Sequence, residues 1–78
     1  MDLHRLTVED AIPALEEFLY ATYQSGLRRV WVVHGKGTGV LRREVRRYLD
    51  GHPLVKSHGP ADSSHGGIGA TRVELSER

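Results

Sequence analysis

The hydrophobic pattern changes period along this chain, and each change marks an element. In residues 1–4, Leu3 points one way and Asp2 and His4 the other, which predicts a short strand. Thr7 is a good helix N-cap, with Asp10 in the capping-box position. Val8, Ala11, Ile12, Leu15, Leu19, Thr22 and Tyr23 then recur at helical spacing, opposite Glu9, Glu16 and Glu17. A helix to about Ser25 follows, closed by Gly26. Pro13 removes one helix bond but falls on the solvent side, so a mild bend is expected there rather than a break.

Residues 28–33 are β-branched and aromatic and apolar on both faces, which predicts a central strand. A second helix is expected from about Gly39 to Asp50, ended by Gly51 and Pro53. Its apolar stripe is Leu41, Val45, Tyr48 and Leu49, and its other face is Arg42, Arg43, Arg46 and Arg47. Residues 54–58 read as a third strand and Gly59 to Gly67 as a polar loop. Ala70 to Leu75 read as a fourth strand, with Thr71, Val73 and Leu75 on one face. The order β-α-β-α-β-β predicts an α/β two-layer sandwich. It is a four-stranded, mostly parallel mixed sheet with its last strand antiparallel and both helices on one face. The other face is left uncovered, and Trp31 or its strand neighbours are expected on it.

Composition bounds this picture. Seventy-eight residues suffice for one small domain, here 1–75, with residues 76–78 as a polar tail. A chain of this size buries roughly 60–65% of its unfolded surface. There is no cysteine, hence no disulfide and no thiolate metal site. No apolar stretch approaches membrane-spanning length and no secretory signal is visible, so a cytoplasmic protein is expected. The net charge of +1 conceals an asymmetry. Residues 1–27 carry one basic residue against five acidic ones, and residues 28–56 carry eight against two. A basic middle third is the footprint expected of a nucleic-acid binder, although a solvated helix face would look the same.

The candidate chemistry sits between the second strand and the second helix, in His34-Gly35-Lys36-Gly37-Thr38-Gly39. Alternate glycines let the backbone bend and approach a ligand closely. The following helix aims unpaired N–H groups and its positive dipole end at the same spot. Lys36 adds a charge, and His34 adds a group that titrates near neutrality. Two other phosphate-binding patterns fail. A GxGxxG fingerprint would need glycine where Val40 or Arg42 stands, and a P-loop would need Ser or Thr where Gly37 stands. His52, His58 and His65 lack a coherent spacing and read as surface residues, and no zinc pattern is present.

Three motifs now stand in order: Asp2-Leu3-His4, the HGKGTG loop, and Gly66-Gly67-Ile68-Gly69-Ala70-Thr71 running into the last strand. Together they closely resemble the small MutS-related (Smr) domain, in the version found at the C-terminus of bacterial MutS2 proteins. The resemblance covers almost the whole chain. It implies a βαβαββ fold similar to the C-terminal domain of translation initiation factor three. It implies a nuclease or a nucleic-acid-binding module: MutS2-type domains are associated with DNA nicking and suppression of homologous recombination, and relatives act on RNA, including messages on stalled ribosomes. It also implies a longer parent, with an ATPase and dimerisation core, of which these residues are one piece. The family's first motif usually reads Leu-Asp-Leu-His-Gly, and here Arg5 holds the glycine position.

The expected site follows. His4 and His34 handle protons, Asp2 orients a histidine or helps hold a divalent ion, and Lys36 with the loop N–H groups stabilises the phosphate. Arg5, Gly35, Gly37, Thr38 and Gly39 contact phosphate, and Arg42, Arg43, Arg46 and Arg47 track the backbone with little sequence preference. Gly67 and Gly69 are expected to shape the chain rather than bind. Two readings stay open. One is a DNA endonuclease, with DNA favoured over RNA and Mg²⁺ or Mn²⁺ as a possible cofactor. The other is a non-catalytic DNA- or RNA-binding module, or an RNA endonuclease on the ribosome. The isolated domain is expected to be monomeric and its parent dimeric.

Overall fold

The computed structural model describes residues 1–77. Helix α1 (Val8–Gln24) begins where the Thr7 hydroxyl accepts the Asp10 N–H at 3.2 Å. It buries Ala11, Leu15, Leu19 and Thr22 and runs unbroken through Pro13, which is solvent-exposed as its position on the helix requires. Strand β1 (Arg29–Val33) leads into the glycine loop, and helix α2 (Val40–Leu49) follows, burying Val45 and Leu49. Strand β2 (Val55–Pro60), two short 3₁₀ turns at Ser63–His65 and Gly67–Gly69, and strand β3 (Ala70–Leu75) complete the chain.

The sheet has three strands in the order β1-β3-β2, and both pairings are antiparallel. This corrects the four-stranded, mostly parallel arrangement. β1 and β2 do point the same way, but β3 lies between them, so no two of these strands are parallel neighbours. The central strand is therefore β3, not residues 28–33. β2 lies at an edge, which lets it reach Pro60, since an edge position tolerates the missing N–H. Residues 1–4 contribute a single parallel bridge, Asp2 opposite Val33, in place of a full strand. The Leu3 N–H donates to the Val33 carbonyl at 2.7 Å and the Val33 N–H to the Met1 carbonyl at 2.8 Å. Beyond that the chain turns back, with the Leu6 N–H on the Leu3 carbonyl and Arg5 at φ +76°, so pairing cannot continue.

Register puts Val30 opposite Val73 and Val32 opposite Thr71. Val30, Val32, Val73 and Leu75 form one core with Leu3, Leu15, Leu19, Val45 and Leu49, and Thr71 is buried on the same face of the sheet. The opposite sheet face carries Trp31, Arg72 and Glu74. It is not bare, because the ring of His65 stacks on Trp31. The apolar second face of residues 28–33 reflects that cover rather than a central place in the sheet. Ser76 and Glu77 are tied down as well, through the Leu54 carbonyl and Arg28 respectively. Arg78, the end of the expected tail, lies outside the described residues.

Candidate nucleic-acid cleavage site

The Asp2–Val33 bridge brings the first two motifs together. His4 and Arg5 share one cleft of about 370 Å³ with His34, the glycine loop through Gly39, and Arg42. Thr7 and Val8 line it too, so the N-terminal ends of α1 and α2 both open into the same space. Neither the charge pattern nor the motifs pointed to α1 here; only the turn at Arg5 brings its first residues alongside. Two helix N-termini with Lys36, Arg5 and Arg42 make a strongly anion-attracting cradle.

Arg42 also links this cleft to a second groove of about 520 Å³ lined by Arg43, Arg46, Arg47 and Asp50. Arg42 curls back so that its guanidinium lies over Gly39 at the start of α2. The four arginines thus form a continuous basic track leading from the cleft along the helix.

Within the cleft the two histidines differ. His4 keeps 47% of its side chain exposed, with Asp2 Oδ1 at 3.5 Å from its Nδ1. The same carboxylate oxygen accepts the His4 backbone N–H at 2.9 Å. That backbone bond is the main reason the Asp2 carboxyl titrates below its usual range, so Asp2 is ionised at neutral pH. With Asp2 on the Nδ1 side, Nε2 is the His4 nitrogen left to meet a ligand.

His34 is only 5% exposed. Its Nδ1 lies 3.0 Å from the Gly35 carbonyl and its Nε2 2.9 Å from the Thr71 hydroxyl. A carbonyl only accepts, so in the neutral ring the proton sits on Nδ1 and Nε2 accepts from Thr71. Burial pushes the His34 pKa below its ordinary value, the Gly35 bond opposes this, and Arg46 and Arg42 push it further down. His34 is therefore a neutral, doubly bonded ring joining the loop to β3.

Gly35 explains the loop's shape. Its φ of +79° is the left-handed region that favours glycine, and a Cβ there would meet the His4 ring and Cβ at 3.6 Å. The Gly69 carbonyl receives the N–H groups of both His34 and Gly35, at 3.0 and 2.9 Å. Gly69 thus shapes the site, as its motif suggested, and Thr71 is a further member that the GGIGAT motif could have signalled. Lys36, Gly37 and Thr38 are exposed at the rim, and the Thr38 hydroxyl lies 3.4 Å from the Val40 N–H.

Of the remaining histidines, His65 is exposed as expected, whereas His52 and His58 correct the surface reading. His52 has 6% of its side chain exposed; Leu54 N–H donates to its Nδ1 and its Nε2 donates to Glu16 at 2.7 Å. Tyr48 bonds the same carboxylate, so Glu16, Tyr48 and His52 clasp α1 to α2. Bonds from Tyr48 and then His52 hold the Glu16 carboxyl below its usual range, while burial, then Glu16, drive the Tyr48 phenol upward. His58 is also largely enclosed, with its Nε2 2.6 Å from Asp50. None of the three lines the cleft. Among the described residues, no three His, Cys, Asp or Glu side chains gather as a metal site, and no helix is long and apolar enough to cross a membrane.

Comparison with known proteins agrees with these features. The family model described as the Smr domain matches residues 1–76. Endonuclease MutS2 of Caldicellulosiruptor saccharolyticus is 47% identical over 75 residues, which is 96% of this chain and 10% of that protein. Endonuclease MutS2 of Pelotomaculum thermopropionicum is 44% identical over the same shares. The chain thus spans about a tenth of the length of these relatives. The crystal structure of the Smr domain of Thermus thermophilus MutS2 superposes with a TM-score of 0.93 at 37% identity, covering 97% of this chain and 95% of that one. YdaL, a stand-alone small MutS-related protein from Escherichia coli, gives 0.93 at 31% identity, covering 99% and 63%. A small α/β fold, a glycine loop pinned to β3, a basic track and a match along the chain lead to one conclusion: this chain belongs to the Smr domain family, on the side of the MutS2 endonucleases.

Proposed function

We propose that this chain is the DNA-nicking domain of a MutS2-type protein, cutting the phosphodiester backbone with little sequence preference. The observation that carries the reading is the convergence of His4, Lys36 and two helix N-termini on one cleft beside the arginine track, with Asp2 outside the cleft lining but paired to His4. Hydrolysis needs a water deprotonated as it attacks phosphorus, charge held at the phosphate, and a proton for the leaving oxygen. His4 Nε2 takes the water proton, and Asp2 steadies the resulting imidazolium. Lys36, Arg42 and the loop and helix N–H groups hold the phosphate oxygens. As the P–O bond breaks, His4 returns its proton to the leaving oxygen. His34 acts by position: bonded to Gly35 and Thr71, it sets where the loop N–H groups point. Asp2 suits the mode in which one carboxylate shares Mg²⁺ or Mn²⁺ with substrate phosphates, and such an ion would add positive charge at the phosphate. The arginines contact backbone rather than base edges, which accounts for weak sequence preference. In the cytoplasm of a bacterium, as part of a dimeric parent, such nicking would act against recombination intermediates.

A second reading is a binding module without catalysis, on DNA or on ribosomal RNA. The observation favouring it is that His34, the first residue of the HGKGTG motif, has both ring nitrogens engaged within the protein.

Supercoiled plasmid is incubated with wild type, His4→Ala and Lys36→Ala in Mg²⁺, Mn²⁺ or EDTA. Nicking that is lost in both variants while DNA binding persists supports the nuclease. A His4→Ala protein that nicks at full rate sinks the assignment, and binding without nicking by the wild type selects the binding module.

A further inference from the structure

On the sheet face away from the helices, the rings of Trp31 and His65 form a parallel stack, with centroids 4.1 Å apart and planes 5° from parallel. Trp31 is half-buried, whereas His65 keeps 42% of its side chain exposed. One face of the imidazole is covered by the indole, so the outer face is turned to solvent. The ring is also held against rotation. Its Nδ1 lies 2.7 Å from Asp62 Oδ1, and Ser64 Oγ donates to the same oxygen at 2.7 Å. Shielding an indole needs only an apolar side chain. A flat ring, locked coplanar by a carboxylate and open on its far side, offers more than shielding.

The stack stands next to the cleft. Trp31 lies on β1, and His34 directly follows the last residue of that strand, so the two are three residues or about 10 Å apart along the chain. From His65 the chain passes through Gly66 and Gly67 to Gly69, whose carbonyl holds the His34 and Gly35 N–H groups and whose Cα faces Lys36. A strand with its phosphate at Lys36 can therefore lay a neighbouring base over His65.

We propose that the Trp31–His65 stack is a platform for an unpaired base of the DNA strand whose backbone occupies the His4–Lys36 cleft. The proposal rests on the nucleic-acid reading above and adds a substrate feature to it. The base becomes the third ring of the stack, on the outer face of His65. Stacking of this kind tolerates any base, because every base has a π-face. A base inside a duplex already has both faces covered, so the platform favours strands that are unpaired beside the cleft.

Trp31 is the only tryptophan, so its emission reports on the stack directly. The chain is titrated with a thymidine oligonucleotide of about twelve nucleotides, within the usual span of single-strand sites, and with a blunt duplex of equal length. Anisotropy gives affinity and Trp31 emission gives contact, for wild type, His65→Ala and His65→Tyr. The single strand is expected to change Trp31 emission. His65→Ala should weaken it roughly tenfold while leaving duplex affinity nearly unchanged, and His65→Tyr should restore single-strand binding. Equal effects of His65→Ala on both ligands, no effect on either, or a tyrosine variant as weak as alanine would each overturn the platform alone. A wild type that binds neither ligand would overturn the platform and the nucleic-acid reading together.

Discussion

The Nε2 of His34 and the hydroxyl of Thr71 lie 2.9 Å apart across 37 positions of sequence, with both residues buried. This bond joins the glycine loop to the central strand. It makes the loop's conformation depend on a residue outside its own motif.

Thr71→Val keeps the shape and removes the hydroxyl. The buried His34 nitrogen is then left without a donor, at a cost of about 1–3 kcal/mol. Urea unfolding should show that loss, and nicking should fall although Thr71 touches no substrate. Unchanged stability in the valine variant would mean that the bond contributes nothing net.

The same ring makes stability respond to mild acid. Burial holds the folded His34 pKa below the ordinary 6.5. As pH falls through 6.5 the unfolded chain takes up a proton that the folded one still refuses. The unfolded state then binds more protons, so stability decreases from about pH 6.5 downward and is level above it on this account. Urea midpoints measured against pH should show this slope, and His34→Gln should flatten it. A wild-type profile flat down to the carboxylate range would contradict the neutral, buried assignment.

Arg5 is the one non-glycine residue at positive φ among those described. Left-handed backbone costs a side-chain-bearing residue roughly 1–2 kcal/mol, and glycine gives back part of that through its freer unfolded chain. Arg5→Gly should therefore stabilise the fold by about 0.5–1 kcal/mol, read from the denaturation midpoint. If Arg5 also contacts phosphate, the variant will bind DNA with a salt slope smaller by about one. A destabilised glycine variant would show that Arg5 contributes contacts worth more than its strain.

Arg43 and Arg47 stand exposed on the α2 track. Each alanine substitution should lower the salt slope of DNA binding by about one and weaken all sequences alike. Isotherms at several salt concentrations on two unrelated sequences would test this. Sequence-dependent losses would show base reading instead of backbone tracking.

His52 gives the contrasting case, because its bonds to Glu16 and Leu54 lie outside the cleft. His52→Ala should cost about 1–3 kcal/mol through the stranded partners, yet leave nicking intact where the protein is folded. A selective loss of nicking would bring this clasp into the mechanism.

Much of this architecture was legible because its causes are local. Thr7 caps α1 through a residue three positions away, Gly26 ends it at φ +83°, and the stripe from Ala11 to Thr22 follows from helical spacing alone. The cleft was legible for a related reason: His4 and the glycine loop sit at strand ends, and one pairing, Asp2 with Val33, sufficed to join them. The histidines were harder. His34 and His52 are enclosed and His58 nearly so, while His4 and His65 stay exposed, yet single-residue composition treats all five alike.

The two helices, the order of elements, the basic track and the motifs that carry the family likeness could all be read from the chain before it folds. These rest on caps, periodicity and spacing within a few residues. The tertiary structure alone decided that β3 enters between β1 and β2, that residues 1–4 supply one bridge, that α1 lends its N-terminus to the cleft, and that His65 covers Trp31. Strand order and burial are set by competition among contacts tens of residues apart. The period of a short apolar run states that a strand has a buried face, but not which partner will cover it.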